Sequence, residues 1–352
     1  MAVETKDPVS IEKVLNSRCS SEHAGPRRSH FGTFTDKNPP EETINHIISY
    51  CSIPRFSSGK LLHWFKDRYL FLGFENPKDP NAQRLLHVES GMQHEAVYLG
   101  CAAEGIGTCI HNQGIDGTQY EEKTATARQL IMEIADSYMT GKFSTKAPGP
   151  QKPFVQGKNL TEPRRDGDIE CVTQLGKLTT SNKSGSSSTE KDVSQLLWAA
   201  RGRTPHYVKM ERWNLTWGLT IPTWGGHQDY TSLCFVKGNK LYTYVNWTKE
   251  FSLTNKLFQY GLRWTRGNPT HDTRFVRNVN IGSQMHGHEE AIFLCQNENT
   301  GRTLWEAGYM LENIFLEARS LGISYESKVF SAEEISRLSD IGIPNAVAAV
   351  FI

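Results

Sequence analysis

The most metal-like cluster in the chain is the run HGHEE at 286–290. His286 and His288 are two residues apart, so in a strand both side chains would point to one face. With Glu289 and a ligand from elsewhere they would suit zinc or non-haem iron. The same spacing is common in polar turns, and an apolar strand is predicted directly afterwards, at 290–295. We therefore predict a polar turn at this position and no resident metal.

The motifs of several enzyme classes are absent from the sequence. There is no GxxxxGK[ST] phosphate loop and no GxSxG nucleophile turn. No GxGxxG follows a predicted strand, and the GIG at 105–107 follows a predicted helix, which disfavours a dinucleotide-binding domain. Even the closest two cysteines, Cys101 and Cys109, are too far apart for a CxxC pair. We expect the cysteines to be small buried side chains in a reducing compartment.

Length and charge narrow the class of protein further. The 352 residues would make roughly two domains of about 150 residues each. Lys and Arg number 39 against 38 Asp and Glu, and this balance argues against a protein whose main partner is nucleic acid. The start of the sequence has no apolar leader, and no apolar run approaches 18 residues. These features predict a cytoplasmic protein without a membrane partner.

A break in the pattern of regular elements divides the chain. Residues 147–153 read APGPQKP and residues 182–191 read NKSGSSSTEK, compositions that are typical of linkers and loops. We predict a first unit at 1–145, a linker and opening segment at 146–191, and a second unit at 192–352.

The two units share a repeated helix. The segment at 89–107 aligns with the segment at 306–324 at one constant offset, 306 − 89 = 217 residues. Both segments have the apolar spacing of amphipathic helices. Gly105 and Gly322 fall where a helix ends in a left-handed residue. The alternative is two unrelated amphipathic helices that each end in glycine. The matching pairs are Glu89 with Glu306, Gly91 with Gly308, Glu95 with Glu312, Leu99 with Leu316, Gly105 with Gly322 and Ile106 with Ile323.

The elements around this helix repeat as well. Each unit has an upstream helix, then a Pro/Gly/Ser segment, an apolar strand and the repeated helix, in that order. This order predicts an α+β fold made of two fused copies of one unit, related by a pseudo-twofold axis within the chain. The corresponding segments are 42–51 and 192–200 for the helix, 53–59 and 221–226 for the loop, and 68–74 and 290–295 for the strand.

Several runs in the second unit resemble the FMN-dependent nitroreductase superfamily, and specifically its SagB-type dehydrogenase branch. The most specific is the helix SQLLWAARGRT at 194–204, and the similarity covers roughly 160–352. The first unit resembles the same superfamily more loosely over 26–115. The other supporting runs are LTEPRRDGDIE at 160–170, TIPTWGG at 220–226, KLYTYVNW at 240–247, PRRSHFGTF at 26–34 and GIGTCIHNQG at 105–114.

The resemblance implies a function and a cofactor. The two units would pair as the subunits of a nitroreductase dimer do, with FMN in the groove between them. The flavin would take a hydride at N5 and pass it on in a ping-pong reaction. In the SagB-type branch this is dehydrogenation of a modified peptide or a small molecule, such as oxidation of an azoline ring. The generic superfamily reaction is NAD(P)H-driven reduction of nitroaromatics or quinones, and oxygen is a further redox partner. The resemblance assigns no catalytic residue, and a higher oligomer stays open.

The resemblance also implies which residues hold the cofactor. Arginine supplies a planar set of donors for a phosphate, and the pair is missing at the matching place in the second unit, so we predict at most one competent site. The predicted phosphate contacts are Arg27, Arg28 and Ser29 in the first unit and Ser181 and Lys183 in the second. The predicted ring wall is Pro222, Thr223, Trp224, Gly225 and Gly226, with His111 and Asn112 near the reactive edge and Ser327 and Lys328 at the matching place in the other unit.

A second class of function fits the same residues. The missing arginine pair and the bulky Trp224 also suit a flavin-less, inactive relative that serves as a binding or scaffolding subunit. A flavin absorbance band in the purified protein would distinguish the enzyme from the scaffold.

Overall fold

The structure is a computed structural model. The residues that it describes are 8–17, 39–66, 69–75, 77–111, 127–135, 154–204, 208–210, 213–215, 218–222, 231–248, 268–297 and 301–352.

In the described residues, the first part of the chain contains three helices and four strands. These elements are α1 (Ile11–Ser17), α2 (Glu41–Ser49), β1 (Leu61–Lys66), β2 (Tyr69–Glu75), α3 (Pro80–Glu104), β3 (Gly107–His111) and β4 (Ala127–Ala135).

The second part contains the remaining helices and most of the strands. The short strands are β5 (Val155–Gln156), β6 (Ser181–Asn182), β7 (Arg203–Thr204), β8 (Val208–Met210), β9 (Trp213–Leu215) and β10 (Gly218–Leu219). The longer elements are α4 (Glu190–Arg201), β11 (Thr231–Lys237), β12 (Lys240–Trp247), β13 (Pro269–Asn278), β14 (Glu290–Gln296), α5 (Gly301–Leu321), β15 (Tyr325–Val329), α6 (Ala332–Asp340) and β16 (Ala346–Phe351). Within the described ranges, no helix has the length and hydropathy to cross a membrane.

The fold is α+β, and its two larger sheets share one strand order. The first sheet has the order β1-β2-β4-β3, and the second contains β11-β14-β16-β15 at its centre. All of these pairs are antiparallel. In each sheet the long helix connects the second strand to the strand at the far end, α3 in the first and α5 in the second. The repeated order of elements that the sequence predicts is therefore present as a repeated topology.

The second sheet carries additions that the first lacks in the described residues. The hairpin β12–β13 is inserted between β11 and β14, and α6 lies between β15 and β16. Short strands extend both ends, so the full order is β5-β13-β12-β11-β14-β16-β15-β6. A second, smaller core fills the space between this sheet and α6, around Phe293, Phe330 and Leu338.

The two long helices are longer than the sequence indicates. They begin at Pro80 and Gly301, ahead of the predicted Glu89 and Glu306. Asp79 caps the first helix by accepting hydrogen bonds from two backbone N–H groups of the first turn, and proline at the first helical position suits a helix start. Both helices end as predicted, since Gly105 has φ 73° and Gly322 has φ 66°.

The prediction that these helices are amphipathic is wrong. Every residue of α3 from Leu86 to Ala102 is buried, and so is nearly every residue of α5 from Thr303 to Ala318. The two helices pack against each other and are enclosed by α1, α2, α4 and the sheets, so all their faces meet protein. Polar side chains on them are consequently buried.

Glycine allows the two helices to meet backbone to backbone. A Cβ on Gly91 would lie 2.2 Å from the carbonyl oxygen of Trp305, and a Cβ on Gly308 would lie 2.1 Å from that of Val88. The helices run in the same direction, because a Cβ on Gly301 would likewise approach His87, one turn earlier on each helix. The closest approach thus falls at two glycines that the repeat pairs with each other.

The segment before α4 is irregular, as predicted, but it is not a free linker. Cys171, Leu175 and Leu178 are buried. The backbone N–H of Ile11 in α1 donates to the carbonyl of Ile169 at 3.0 Å, and Arg164 forms an ion pair with the buried carboxylate of Glu12. Residues 154–189 therefore tie α1 to the second unit.

Candidate functional site

The described part of the predicted flavin site begins where α4 ends. A capping box at Thr189 and Asp192 starts this helix, and its last turn is buried. The pairing of β7 with β10 then brings residues 218–222 back to the helix end, where the N–H of Thr220 donates to the carbonyl of Gly202 at 3.0 Å. Pro222, at the edge of this turn, is half-buried. The start of the predicted ring wall is therefore anchored in the core.

A side chain of the central helix α5 fixes this turn. The amide nitrogen of Asn313 donates to the carbonyls of Ala199 and Thr220, each at 3.2 Å, and Asn313 is fully buried. One side chain thus links α5, the end of α4 and the turn before Pro222. A preorganised backbone of this kind suits the wall of a ligand slot. Asn313 is not among the residues predicted from the sequence, because the same helix also carries Glu306, Glu312 and Glu317 and nothing local distinguishes Asn313 from them.

Two buried arginines follow the end of α4. Arg201 donates to the hydroxyl of Thr231 and lies 3.7 Å from the carboxylate of Glu306. Arg203 donates to the carbonyl of Asn246 at 3.3 Å, and its guanidinium lies 4.7 Å from the centre of the Trp247 ring. Charges this deeply buried require partners, and these contacts hold both guanidinium groups in place.

A chain of hydrogen bonds crosses the same region. The ring nitrogens of His271 lie 2.9 Å from the hydroxyl of Ser194 and 2.8 Å from that of Tyr244. Ser194 in turn donates to the carbonyl of Thr161 at 3.0 Å. Burial lowers the pKa of His271 to about 3, so the ring is neutral, and burial raises the pKa of Tyr244. The chain is fully satisfied, and it fastens α4 and the 160–164 segment to β12 and β13.

The two predicted phosphate contacts of the second unit differ in their surroundings. Ser181 is in β6 and pairs with Glu326 of β15, beside Ser327, whose hydroxyl donates to the carbonyl of Thr180. The ammonium of Lys328 lies 2.7 Å from the carboxylate of Glu334. Lys183 is exposed. One exposed lysine beside a serine in a strand is not by itself a phosphate cradle, and the expectation of at most one competent flavin site stays a prediction.

The remaining predicted contacts lie outside the described residues. His111 is the last residue of β3 and pairs with Ile131, and only its backbone is described. The others are Arg27, Arg28, Ser29, Asn112, Thr223, Trp224, Gly225 and Gly226.

Several glutamates on and beside the two long helices are buried. Burial, followed by the charge of Glu95, raises the pKa of Glu312 well above its usual range, and the repeat pairs these two glutamates. Burial and the charge of Glu12 raise the pKa of Glu317 in the same way, with Arg164 opposing. Carboxyl groups in this situation favour the protonated form.

A buried histidine lies on another face of α3. The ring of His94 packs edge-on against Trp305 and Tyr309, with ring centres 6.3 Å away in each case. Neither ring nitrogen has a hydrogen-bond partner, and burial lowers the pKa to about 3. The ring therefore packs as a neutral aromatic group.

The histidine cluster at 286–290 forms the predicted turn. It follows a short 3-10 helix, Gly282–Met285, and precedes β14. The rings of His286 and His288 pack on Phe351, with centres 4.9 Å and 5.9 Å from that ring. In the part of the chain that the structure describes, no group of three His, Cys, Asp or Glu side chains is placed to hold a metal ion.

Comparisons with known proteins identify the fold. No family model and no curated protein matches the sequence. A solved structure from Anabaena variabilis, assigned as a nitroreductase, superposes with a TM-score of 0.50 at 12% identity, over 80% of this chain and 68% of that one. One from Thermotoga maritima, assigned likewise, has a TM-score of 0.43 at 9% identity, over 99% of this chain and 97% of that one. The superposition on the Anabaena variabilis structure shows that the fold of this chain is nitroreductase-like.

Proposed function

We propose that this chain is an FMN-dependent oxidoreductase in which two fused units pair as the subunits of a nitroreductase dimer do. The observation that carries the proposal is the backbone contact of α3 and α5 at Gly91 and Gly308. These glycines occupy matching places in two units of the same strand order. In the dimers that the resemblance implies, FMN lies in the groove between the paired units, a place where small-molecule sites commonly occur.

FMN would supply a two-electron centre at its ring nitrogen N5. The chain would hold the ring against the turn that ends at Pro222, because Asn313 and Gly202 already fix the backbone there. The proposed wall would also include residues 223–226, which lie outside the described residues. The phosphate would be held by Arg27, Arg28 and Ser29 from the other unit, since the Ser181–Lys183 side offers no cradle.

For the substrate, we propose the reaction class that the SagB-type resemblance implies. The flavin would accept two electrons from a peptide-derived or small-molecule substrate and pass them to oxygen. In the generic superfamily reaction NAD(P)H would instead be the electron donor, and the second substrate would be reduced. The support is the SQLLWAARGRT run, which forms α4 and the strand after it, next to the proposed ring wall.

The experiment is a flavin titration of the parent chain and of three single variants. A charge-assisted phosphate contact is worth about 1.5–3 kcal/mol, so Arg27→Ala or Arg28→Ala should weaken FMN binding about ten- to a hundredfold. Lys183→Ala is the matched control and should change the affinity less than about threefold. Thermal melts check that each variant folds.

Three outcomes would contradict the proposal or part of it. Equal affinity in the parent and both arginine variants would end the phosphate assignment. A loss confined to Lys183→Ala would move the site to the other side. A colourless parent protein that takes up no added FMN would favour the scaffolding function instead.

A further inference from the structure

The largest exposed apolar feature in the described residues is at the outer edge of the second sheet. Phe275 and Val276, adjacent in β13, are 52% and 42% exposed, and no larger exposures of large apolar side chains occur in the described ranges. Adjacent apolar side chains at a sheet edge are unusual, because such edges are sites of chain association.

Phe275 is the outer end of a row of aromatic side chains. In the register of the sheet, Phe235 of β11 pairs with Tyr242 of β12, and Tyr242 pairs with Phe275 of β13. The ring centres are 6.2 Å and 5.9 Å apart along the row. Exposure increases outward, from a buried Phe235 to the half-exposed Phe275. The row is a rigid apolar surface that a further strand would extend.

No strand of the described residues pairs with this edge over residues 274–278. The neighbouring strand β5 pairs with β13 only at Thr270 and His271, and Asn159 contacts the next two residues. A bulge between Leu241 and Tyr242 leaves Val276 without a partner on β12. Bulges of this kind re-aim side chains at sheet edges.

The edge carries positive charge on the face opposite to Phe275. Arg277 lies opposite Leu241, whose side chain belongs to the smaller core, so Arg277 is on the face away from Phe275. Arg274 pairs with Thr243 and Lys240 with Asn278, and both cations are exposed. Residues 274–278 contain no acid. A strand added here would place alternate side chains beside Phe275 and beside the arginines.

A depression continues from the end of this edge. It measures about 410 Å³, and its lining includes Asn280, Gln284 and Arg337. It adjoins Arg277, since a Cβ on the neighbouring Gly342 would lie 3.3 Å from the Cδ of that arginine. A segment bound along β13 could therefore extend into a polar hollow at its end.

We propose that residues 274–278 of β13 bind an extended segment of a partner protein in which acidic and apolar side chains alternate. The apolar side chains pack on Phe275 and Val276, and the acidic ones face Arg277. Strand addition to an exposed edge is a common mode of peptide recognition. A second copy of this chain fits poorly, because two β13 edges would bring their arginines together.

The test uses a fluorescein-labelled heptapeptide that alternates Glu and Val, with binding followed by fluorescence anisotropy. We expect saturable binding that weakens with salt. A peptide that alternates Lys and Val should bind at least about tenfold more weakly, as should the Glu peptide with alternate backbone nitrogens methylated. Absence of binding up to about 1 mM, or equal binding of the three peptides, would overturn the proposal.

Variants locate the site on the protein. Phe275→Ser and Arg277→Glu should each weaken binding at least about tenfold, whereas Val155→Ser should change it less than about twofold. Val155 is the matched control, because it is also exposed, at 38%, but lies beside Thr270, away from residues 274–278. Equal effects of Phe275→Ser and Val155→Ser would overturn the assignment. A concentration-dependent dimer that Phe275→Ser abolishes would replace the partner with a second copy.

Discussion

The two long helices carry a buried glutamate at the same position, and the two sites are built from the same parts. In the first unit, Arg55 donates to the hydroxyl of Ser57, and both contact Glu89. In the second, Arg201 donates to the hydroxyl of Thr231, which donates to Glu306 at 2.8 Å. Each unit thus links an arginine, a hydroxyl and a glutamate on its central helix.

The surroundings of the two sites differ. The Arg55 side chain is 36% exposed, and Glu89 also accepts hydrogen bonds from the backbone of Phe56 and Ser57. The Arg201 side chain is only 5% exposed. The first site therefore closes a surface loop onto its helix, whereas the second lies inside the protein beside the proposed ring wall. An arginine, a hydroxyl and a glutamate thus hold a surface loop in one unit and stabilise the buried core in the other.

The largest expected effect is at the buried site. Glu306→Ala leaves the guanidinium of Arg201 buried without its carboxylate, and breaking such a pair costs about 3–5 kcal/mol. Glu89→Ala should cost less, about 2–3 kcal/mol, because water reaches Arg55 and can replace part of what is lost. Urea denaturation of both variants measures the difference in the free energy of unfolding. A larger loss at Glu89 would reverse this comparison of the two units.

The next effect concerns the glycines at the helix contact. Gly308→Ala places a methyl group against the backbone of Val88, which cannot rotate away, so the helices must separate. Overpacking of this kind costs about 1–3 kcal/mol, more than the gain in helix propensity from alanine.

Gly100→Ala is the control for this change, in the middle of α3. Its new methyl group would meet only the ring of Tyr50, a side chain that can shift. Thermal melts should therefore show the lower melting temperature for Gly308→Ala. Equal melting temperatures would mean that the backbone contact is not tight.

The pH dependence of stability tests the buried acids that the repeat pairs. Because the pKa of Glu312 is raised in the folded state, the stability that its proton provides is full below its unfolded pKa, near 4.3. That stability is lost as the pH rises toward the folded pKa. Each unit of raised pKa amounts to about 1.4 kcal/mol. Glu312→Gln should therefore flatten the fall in stability between about pH 5 and 8, as followed by urea denaturation at each pH.

The partner acid and a distant acid complete this experiment. Glu95→Gln removes the charge that raises the pKa of Glu312 and should flatten the same fall less. Glu333→Gln, on the exposed surface of α6, is the control and should leave the slope unchanged. An unchanged slope in Glu312→Gln would show that this carboxyl is ionised at neutral pH.

Sequence reasoning reached the repeated parts of the fold because their signals are local. The glycines at 105 and 322, the apolar strand at 290–295 and the offset that pairs Gly91 with Gly308 are all readable along the chain. It placed the start of α3 too late, although Asp79 and Pro80 are a recognisable helix start.

Contacts between distant residues had no local signal. Glu12 and Arg164 are 152 residues apart, and nothing near either one indicates that they meet. Full burial of α3 was also missed, because a helix with Glu89, Gln93 and His94 has the composition of one with a solvated face. Among the predicted site residues, Ser181 lies in β6 and Lys183 is exposed, and their contact with a phosphate stays a prediction.

The smallest expected effect is the difference in stability lost when the hydroxyl of each matched site is removed. Thr231 is 2% exposed and lies between Arg201 and Glu306, so Thr231→Val leaves two buried polar groups short of a partner, at a cost of about 1–3 kcal/mol. Ser57 is half-buried, and water can take its place beside Arg55, so Ser57→Ala should cost about 0.5–1 kcal/mol. Urea denaturation at one pH measures both. If Ser57→Ala proves the more costly change, burial does not decide the strength of these sites, and the backbone donors around Glu89 must depend on Ser57 for their position.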